Sequence, residues 1–255
     1  MNTNKDTSRS SDMSLRTAAI VAGLGLLAMA ILAGFANFSV FQSLVVPGNA
    51  KTTAENIIAS SGSFRMGIFF FLVVAVLDVV VAWALYVLLK LANKSLSLLA
   101  AWFRVVYAAI FAVALTNLFS ALQLFTGADY LKAFEVNQLY AQGMVSLSAF
   151  QSGWNIGLAI FGLHLLVLGY LVFKSGYASK WGGILLSILL VVAGLGYLAD
   201  SIGKFLLPNY NASIAQFTFI GEVLLIFWLL WKGIKGFDEG LEKKSRHFPS
   251  PPANH

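Results

Sequence analysis

The sequence predicts an all-α polytopic membrane helical bundle of six transmembrane helices, with both termini cytoplasmic. Three observations carry that expectation. The chain of 255 residues is 58% hydrophobic and only 11% charged, whereas soluble domains run near 25% charged. Six apolar runs are each of the order of the ~20 residues needed to cross a hydrocarbon core. Finally, 12 of the 17 cations fall on one side of the connections between those runs, the side that the positive-inside bias assigns to the cytoplasm.

Residues 1–15 are polar and read as a disordered cytoplasmic tail. Residues 16–236 read as one membrane domain. Its first span, 17–40, is too long for a signal-peptide core. The small residues Ala18 and Ala22, and again Ala30 and Gly34, have the four-residue spacing that lets helices approach closely. Residues 42–63 form an external loop with a turn at Pro47-Gly48. Thr52 and Glu55 have capping-box spacing, which predicts a short helix toward Ser60.

The second span (64–89) and third span (96–124) form a hairpin over the basic turn of residues 90–95. Residues 126–150 are the longest connection. There Asp129 marks a helix start, and Tyr130, Leu131 and Phe134 predict an interfacial helix. The fourth, fifth and sixth spans are 151–173, 181–199 and 214–231. Residues 237–255 are basic, then Pro-rich, and read as a second disordered tail.

The cytoplasmic side carries Lys5, Arg9, Arg16, Lys90, Lys94, Lys174, Lys180, Lys232, Lys235, Lys243, Lys244 and Arg246. The other side carries Lys51, Arg65, Lys132 and Lys204. The second, fourth and sixth spans each end with an aromatic residue four positions before a lysine: Tyr86 and Lys90, Tyr170 and Lys174, Trp228 and Lys232. A threefold hairpin repeat explains this, and so does the common preference of both residue types for the interface. The net charge of +6 resides at helix ends, which argues against nucleic-acid binding. Cysteine is absent, which excludes disulfides, thiol catalysis and Cys-ligated metals.

Several longer strings are more specific. They are S-L-V-V-P-G-N-A (43–50), A-L-Y-V-L-L-K (84–90), F-G-L-H-L-L-V-L-G-Y-L-V-F-K-S-G-Y (161–177), A-G-L-G-Y-L-A-D-S (193–201) and F-L-L-P-N-Y (205–210). The chain from about Thr17 to Gly236 resembles a bacterial family of multi-pass membrane proteins, the domain of unknown function 4386. The resemblance implies a bacterial cytoplasmic (inner) membrane location and no particular activity.

Four ionisable residues lie deep in separate spans. Asp78 is twelve residues before Lys90, Arg104 ten after Lys94, His164 ten before Lys174, and Glu222 ten before Lys232. At 1.5 Å per residue each sits about 15–18 Å from its lysine anchor, near the middle of a core of about 30 Å. A charge there costs roughly 2.5–3.5 kcal/mol on insertion scales, so these side chains face the bundle interior. Asp78 and Arg104, on adjacent antiparallel helices, predict an ion pair. It is either a structural lock or an anion or proton site. His164 and Glu222 form a second expected pair, suited to holding or relaying a proton, or else separately satisfied core groups. Asn117, Gln123 and Asn155 are expected either to line an outer entrance or to bond neighbouring helices.

Other chemistry is weaker. Asp78, His164 and Glu222 would supply the three protein ligands of a catalytic zinc, but Arg104 beside them opposes a cation, so no metal and no cofactor is expected. Ser120 and Ser187 have nothing that marks a nucleophile. Asp200 is expected at the outer end of the fifth span, capping structure or accepting from Tyr197 or Lys204. The preferred function is binding or moving a small polar or amphiphilic molecule through the layer. Two alternatives stand beside it: an intramembrane enzyme acting on a lipid-like substrate, and a structural or sensory protein without chemistry. The expected partners are the lipid bilayer and a small-molecule ligand. Oligomeric state is left open.

Overall fold

A computed structural model of the chain describes residues 13–177 and 180–237, with Lys180 as backbone alone. The two expected tails lie almost entirely outside the described residues. Helix α1, Leu15–Leu44, opens on Ser14, whose hydroxyl accepts from the Thr17 amide and so satisfies one unpaired donor of the first turn. Its Phe35–Phe41 segment is wound as a π-helix. A turn at Pro47-Gly48, with Gly48 at φ +76°, leads to α2, Ala50–Ala59. Its cap is Asn49, which accepts from Thr52 N, so the helix begins earlier than the Thr52 signal placed it.

Helix α3 is Ser61–Leu89 and α4 is Lys94–Thr126. Asn93 caps α4 by accepting from Leu96 N. Helix α5 is Val136–Ser175, α6 is Lys180–Leu206 and α7 is Ala215–Lys235, with a local break at Phe219. Among the described residues no strand occurs, and six helices (α1, α3, α4, α5, α6 and α7) are long and apolar enough to cross a membrane.

The largest departure from the sequence reading is in residues 126–150. The expected interfacial helix is one short 3-10 segment, Asp129–Ala133, with Tyr130 exposed. The rest of the connection is the first turns of α5. Polar residues there disguise a buried stripe of Leu139, Gly143, Leu147 and Phe150, which recurs at helical spacing. Gly143 faces the Phe125 ring so closely that a Cβ would collide with it. That contact sets how near α4 and α5 approach.

Each spanning helix packs on its neighbours in sequence, and α7 closes the ring against α1. Small residues make the close seams. A Cβ on Gly162 of α5 would lie 2.8 Å from the carbonyl oxygen of Gly194 of α6. Ala18, Ala19 and Ala22 are buried in α1, whereas Ala30 is exposed and Gly34 has nothing within 4 Å of a Cβ position. Of the two expected small-residue pairs, the first is therefore a packing face and the second is not.

Helix α7 changes neighbour along its length. Near its C-terminal end it lies on α1, where Arg16 Nε donates to Gly233 O at 2.8 Å and Gly23 faces Leu230. Near its start it lies on α6, where Gly221 meets the backbone of Leu189 and Gly196 meets Thr218. One end of the bundle carries Lys90, Lys94, Lys174, Lys232 and Lys235. At the other end α1 and α7 diverge.

Candidate functional site

The polar layer is built around Arg104. Its Nη2 lies 2.7 Å from Asp78 Oδ1 and 3.9 Å from Met29 Sδ. Its Nη1 lies 3.3 Å from His164 Nε2, and its Cζ stands 5.3 Å from the centroid of the Phe161 ring. Asp78, His164 and Arg104 are 0%, 1% and 2% exposed. The expected ion pair is thus present. Because guanidinium only donates, His164 Nε2 accepts. Its Nδ1–H then donates to Ala100 O at 2.9 Å, which fixes the neutral tautomer. Asp78 Oδ2 and Arg104 Nε are buried with no hydrogen-bond partner among the described residues.

The expected His164–Glu222 pair does not form. Both ring nitrogens of His164 are taken by α4, through Arg104 and Ala100. Glu222 instead accepts from the Tyr197 hydroxyl at 2.9 Å. The two halves of the layer meet through Phe161, whose ring is 5.5 Å from His164, 5.5 Å from Tyr197 and 4.9 Å from Tyr107.

Above the layer, toward the end away from the lysines, five aromatic rings form a plug. Phe71 lies 5.3 Å from Phe41, 5.5 Å from Phe111 and 5.5 Å from Trp154, and Phe150 lies 5.5 Å from Trp154. Phe71, Phe111 and Phe150 are almost fully buried. Phe71 precedes Asp78 by seven residues and Phe111 follows Arg104 by seven. Each spacing places a ring about 10 Å above a charge.

A cleft of about 600 Å³ opens over the plug. Phe41, Phe150 and Trp154 contribute to its floor. Asn37 and Gln42 of α1, Gln151 and Asn155 of α5, Asp200 and Lys204 of α6, and Gln216 of α7 contribute to its walls. Asn155 accepts from Lys204 Nζ at 3.2 Å, so it does line an entrance. Asn117 does not: its amide donates to Ala114 O within α4, and it is absent from the lining. Gln123 is exposed on α4.

Asp200 acts as a cap delivered from another helix. It accepts from Ile214 N at 3.0 Å, Ala215 N at 2.8 Å and the Tyr210 hydroxyl at 2.8 Å, rather than from Tyr197. The bond to this carboxylate holds the Tyr210 phenol above its ordinary range.

The family model for "Domain of unknown function (DUF4386)" matches residues 21–233, which includes every residue of the layer and the cleft. The chain belongs to the DUF4386 family. A relative described as an "Uncharacterized protein" of Archaeoglobus fulgidus is 39% identical over 170 residues. The match covers 67% of this chain and 83% of that protein. The relative is archaeal, so similarity to it does not assign a bacterial source. No solved structure matches the chain.

Sequence reasoning missed Phe161, the plug and the π-helical segment, and it offered Tyr197 to Asp200 rather than to Glu222. Aromatic residues in an apolar span look alike whether they face lipid or core. The available signal was register: Phe161 precedes His164 by three and Tyr107 follows Arg104 by three, which puts each on the same helix face as its charge.

Proposed function

We propose that this DUF4386 protein lies in the cytoplasmic membrane with both termini inside, and that it takes a small polar or amphiphilic molecule into the cleft above the charged layer. One observation carries the reading: the cleft ends on Phe41, Phe150 and Trp154, and Trp154 packs on Phe71 and Phe111, the rings about two helical turns above Asp78 and Arg104. A mostly apolar concavity with a few polar groups is the usual form of a small-molecule site. The buried cation beyond the plug gives a molecule or a proton a place to be met within the membrane. A second reading rests on Arg104 itself. Its simultaneous contact with Asp78, His164, Met29 and Phe161 is what a lock between α1, α3, α4 and α5 requires.

Orientation is tested by alkaline phosphatase fusions. A fusion after Glu55 is expected to be active and one after Lys94 inactive; the reverse pattern overturns the topology. Binding is tested by extracting and weighing the small molecules that accompany the protein in nanodiscs prepared from host membranes. Gln151→Trp fills the cleft from an exposed position, so a compound enriched with the parent should be depleted in this variant. Identical inventories would remove the binding reading in favour of the lock.

A further inference from the structure

We infer that the cleft selects a neutral, hydroxyl-rich head group, of the kind a sugar presents, carried on an apolar tail that lies in the membrane. The inference rests on the cleft being a binding site and assigns the chemistry of what it holds.

Charge is the first argument. Among the lining side chains the ionisable groups are one carboxylate, Asp200, and one amine, Lys204, so the wall is neutral in sum. Asp200 is occupied by Tyr210, Ile214 N and Ala215 N. Lys204 is tied to Asn155. A site for a phosphate or carboxylate calls for clustered Arg or Lys, and a site for an ammonium group calls for an unengaged acid.

The remaining polar groups are of another kind. Asn37, Gln42, Gln151 and Gln216 present carboxamides, and Ser148 and Ser213 present hydroxyls. Among the described residues none of these six side chains has a hydrogen-bond partner. An amide offers a donor and an acceptor side by side, which matches a hydroxyl that both gives and takes a proton. Of the floor rings Trp154 is the one that is part-exposed, and it offers the apolar surface against which the C–H face of a ring-shaped polyol packs.

The shape of the wall supplies the tail. Helices α1 and α7 touch at the lysine end and diverge toward the cleft, which lies between Asn37–Gln42 and 213–216. Phe38 and Phe217, beside this seam, are 65% and 76% exposed. An amphiphile entering sideways through the seam keeps its chain against these rings while its head group reaches the amides.

The test uses the full protein in nanodiscs, labelled with 5-fluorotryptophan. Of its six tryptophans, Trp154 is assigned by the resonance that Trp154→Phe removes. Octyl β-glucoside is expected to shift that resonance saturably, and methyl β-glucoside to do so far more weakly. Octyl phosphate and octylammonium are expected to leave it in place. Gln151→Leu with Gln216→Leu, both at exposed positions, should weaken the octyl β-glucoside response about tenfold, the worth of roughly one net hydrogen bond. The other resonances must stay unchanged in this variant, which shows that it is folded. Equal responses to both glucosides would overturn the membrane-borne source. A stronger response to octyl phosphate or octylammonium would overturn the head-group assignment while leaving the cleft a binding site. No saturable response to any probe would overturn both.

Discussion

Arg104 Nη2 lies 2.7 Å from Asp78 Oδ1, with 2% and 0% of the two side chains exposed. Helices α3 and α4 are therefore joined by two opposite charges from which solvent is nearly excluded. Removing one partner strands the other in a medium of low dielectric constant. Asp78→Ala alone is expected to cost about 3–5 kcal/mol, whereas Asp78→Ala with Arg104→Met should recover much of that loss. Unfolding titrations in detergent measure both. A double variant no more stable than the single one would contradict the coupling.

His164 holds α5 to α4 with both ring nitrogens. In nitrogen–proton correlation spectra its Nδ1 is expected to carry the proton and Nε2 to be bare. The opposite tautomer would break the assignment to Ala100 O and Arg104. His164→Leu leaves a buried carbonyl and a buried N–H unpaired, and should cost about 1–3 kcal/mol for each.

Glu222 is bound more lightly, by one phenol. Tyr197→Phe should cost about 1 kcal/mol. Glu222→Ala should melt closer to the parent than His164→Ala does, because fewer bonds are lost. If Glu222→Ala were the worse of the two in a thermal melt, the layer would have a different centre from Arg104.

Glycines separate seam from surface. Gly162→Ala puts a methyl group 2.8 Å from Gly194 O, backbone that no side-chain rotation relieves, so α5 and α6 must part at a cost of about 1–3 kcal/mol. Gly34→Ala meets nothing within 4 Å and should be neutral, or stabilising by up to about 1 kcal/mol through helix propensity. Equal melting shifts for the two variants would deny the seam.

Asp200→Ala releases the start of α7. Hydrogen exchange at the Ile214 and Ala215 amides should quicken by about tenfold or more, since each loses a charge-assisted bond. Exchange in the α1–α7 seam near Gly233 should not change. Unaltered protection at Ile214 and Ala215 would mean that Asp200 does not hold this end.

How much of this was legible follows from particular residues. The six spans and the Asp78–Arg104 pair were readable because a charge in an apolar run has few places to go, and because adjacent antiparallel helices bring equal depths together. Glu222 was read as the partner of His164, whereas it pairs with Tyr197. Depth fixes one coordinate, while the direction in which a helix faces fixes who touches whom. The α5 start was hidden because Asn137, Gln138 and Gln142 made helical turns read as loop. The plug was hidden because Phe71, Phe111 and Phe150 look no different in sequence from exposed Phe69, Phe119 and Phe173.

The π-wound segment Phe35–Phe41 bears on how this helix accommodates changes in length. A single π turn inside an α-helix takes up one extra residue while leaving the flanking faces aligned. Helix α1 is thus one residue longer than a plain α-helix joining Ala22 to Phe41 on the same faces. Deleting one residue within this segment rewinds it to α and keeps Phe41 against Phe71. Deleting one from the regular turns before it swings the following face by about 100°. The first span therefore contains one place where a length change is absorbed, and that place adjoins the wall of the cleft.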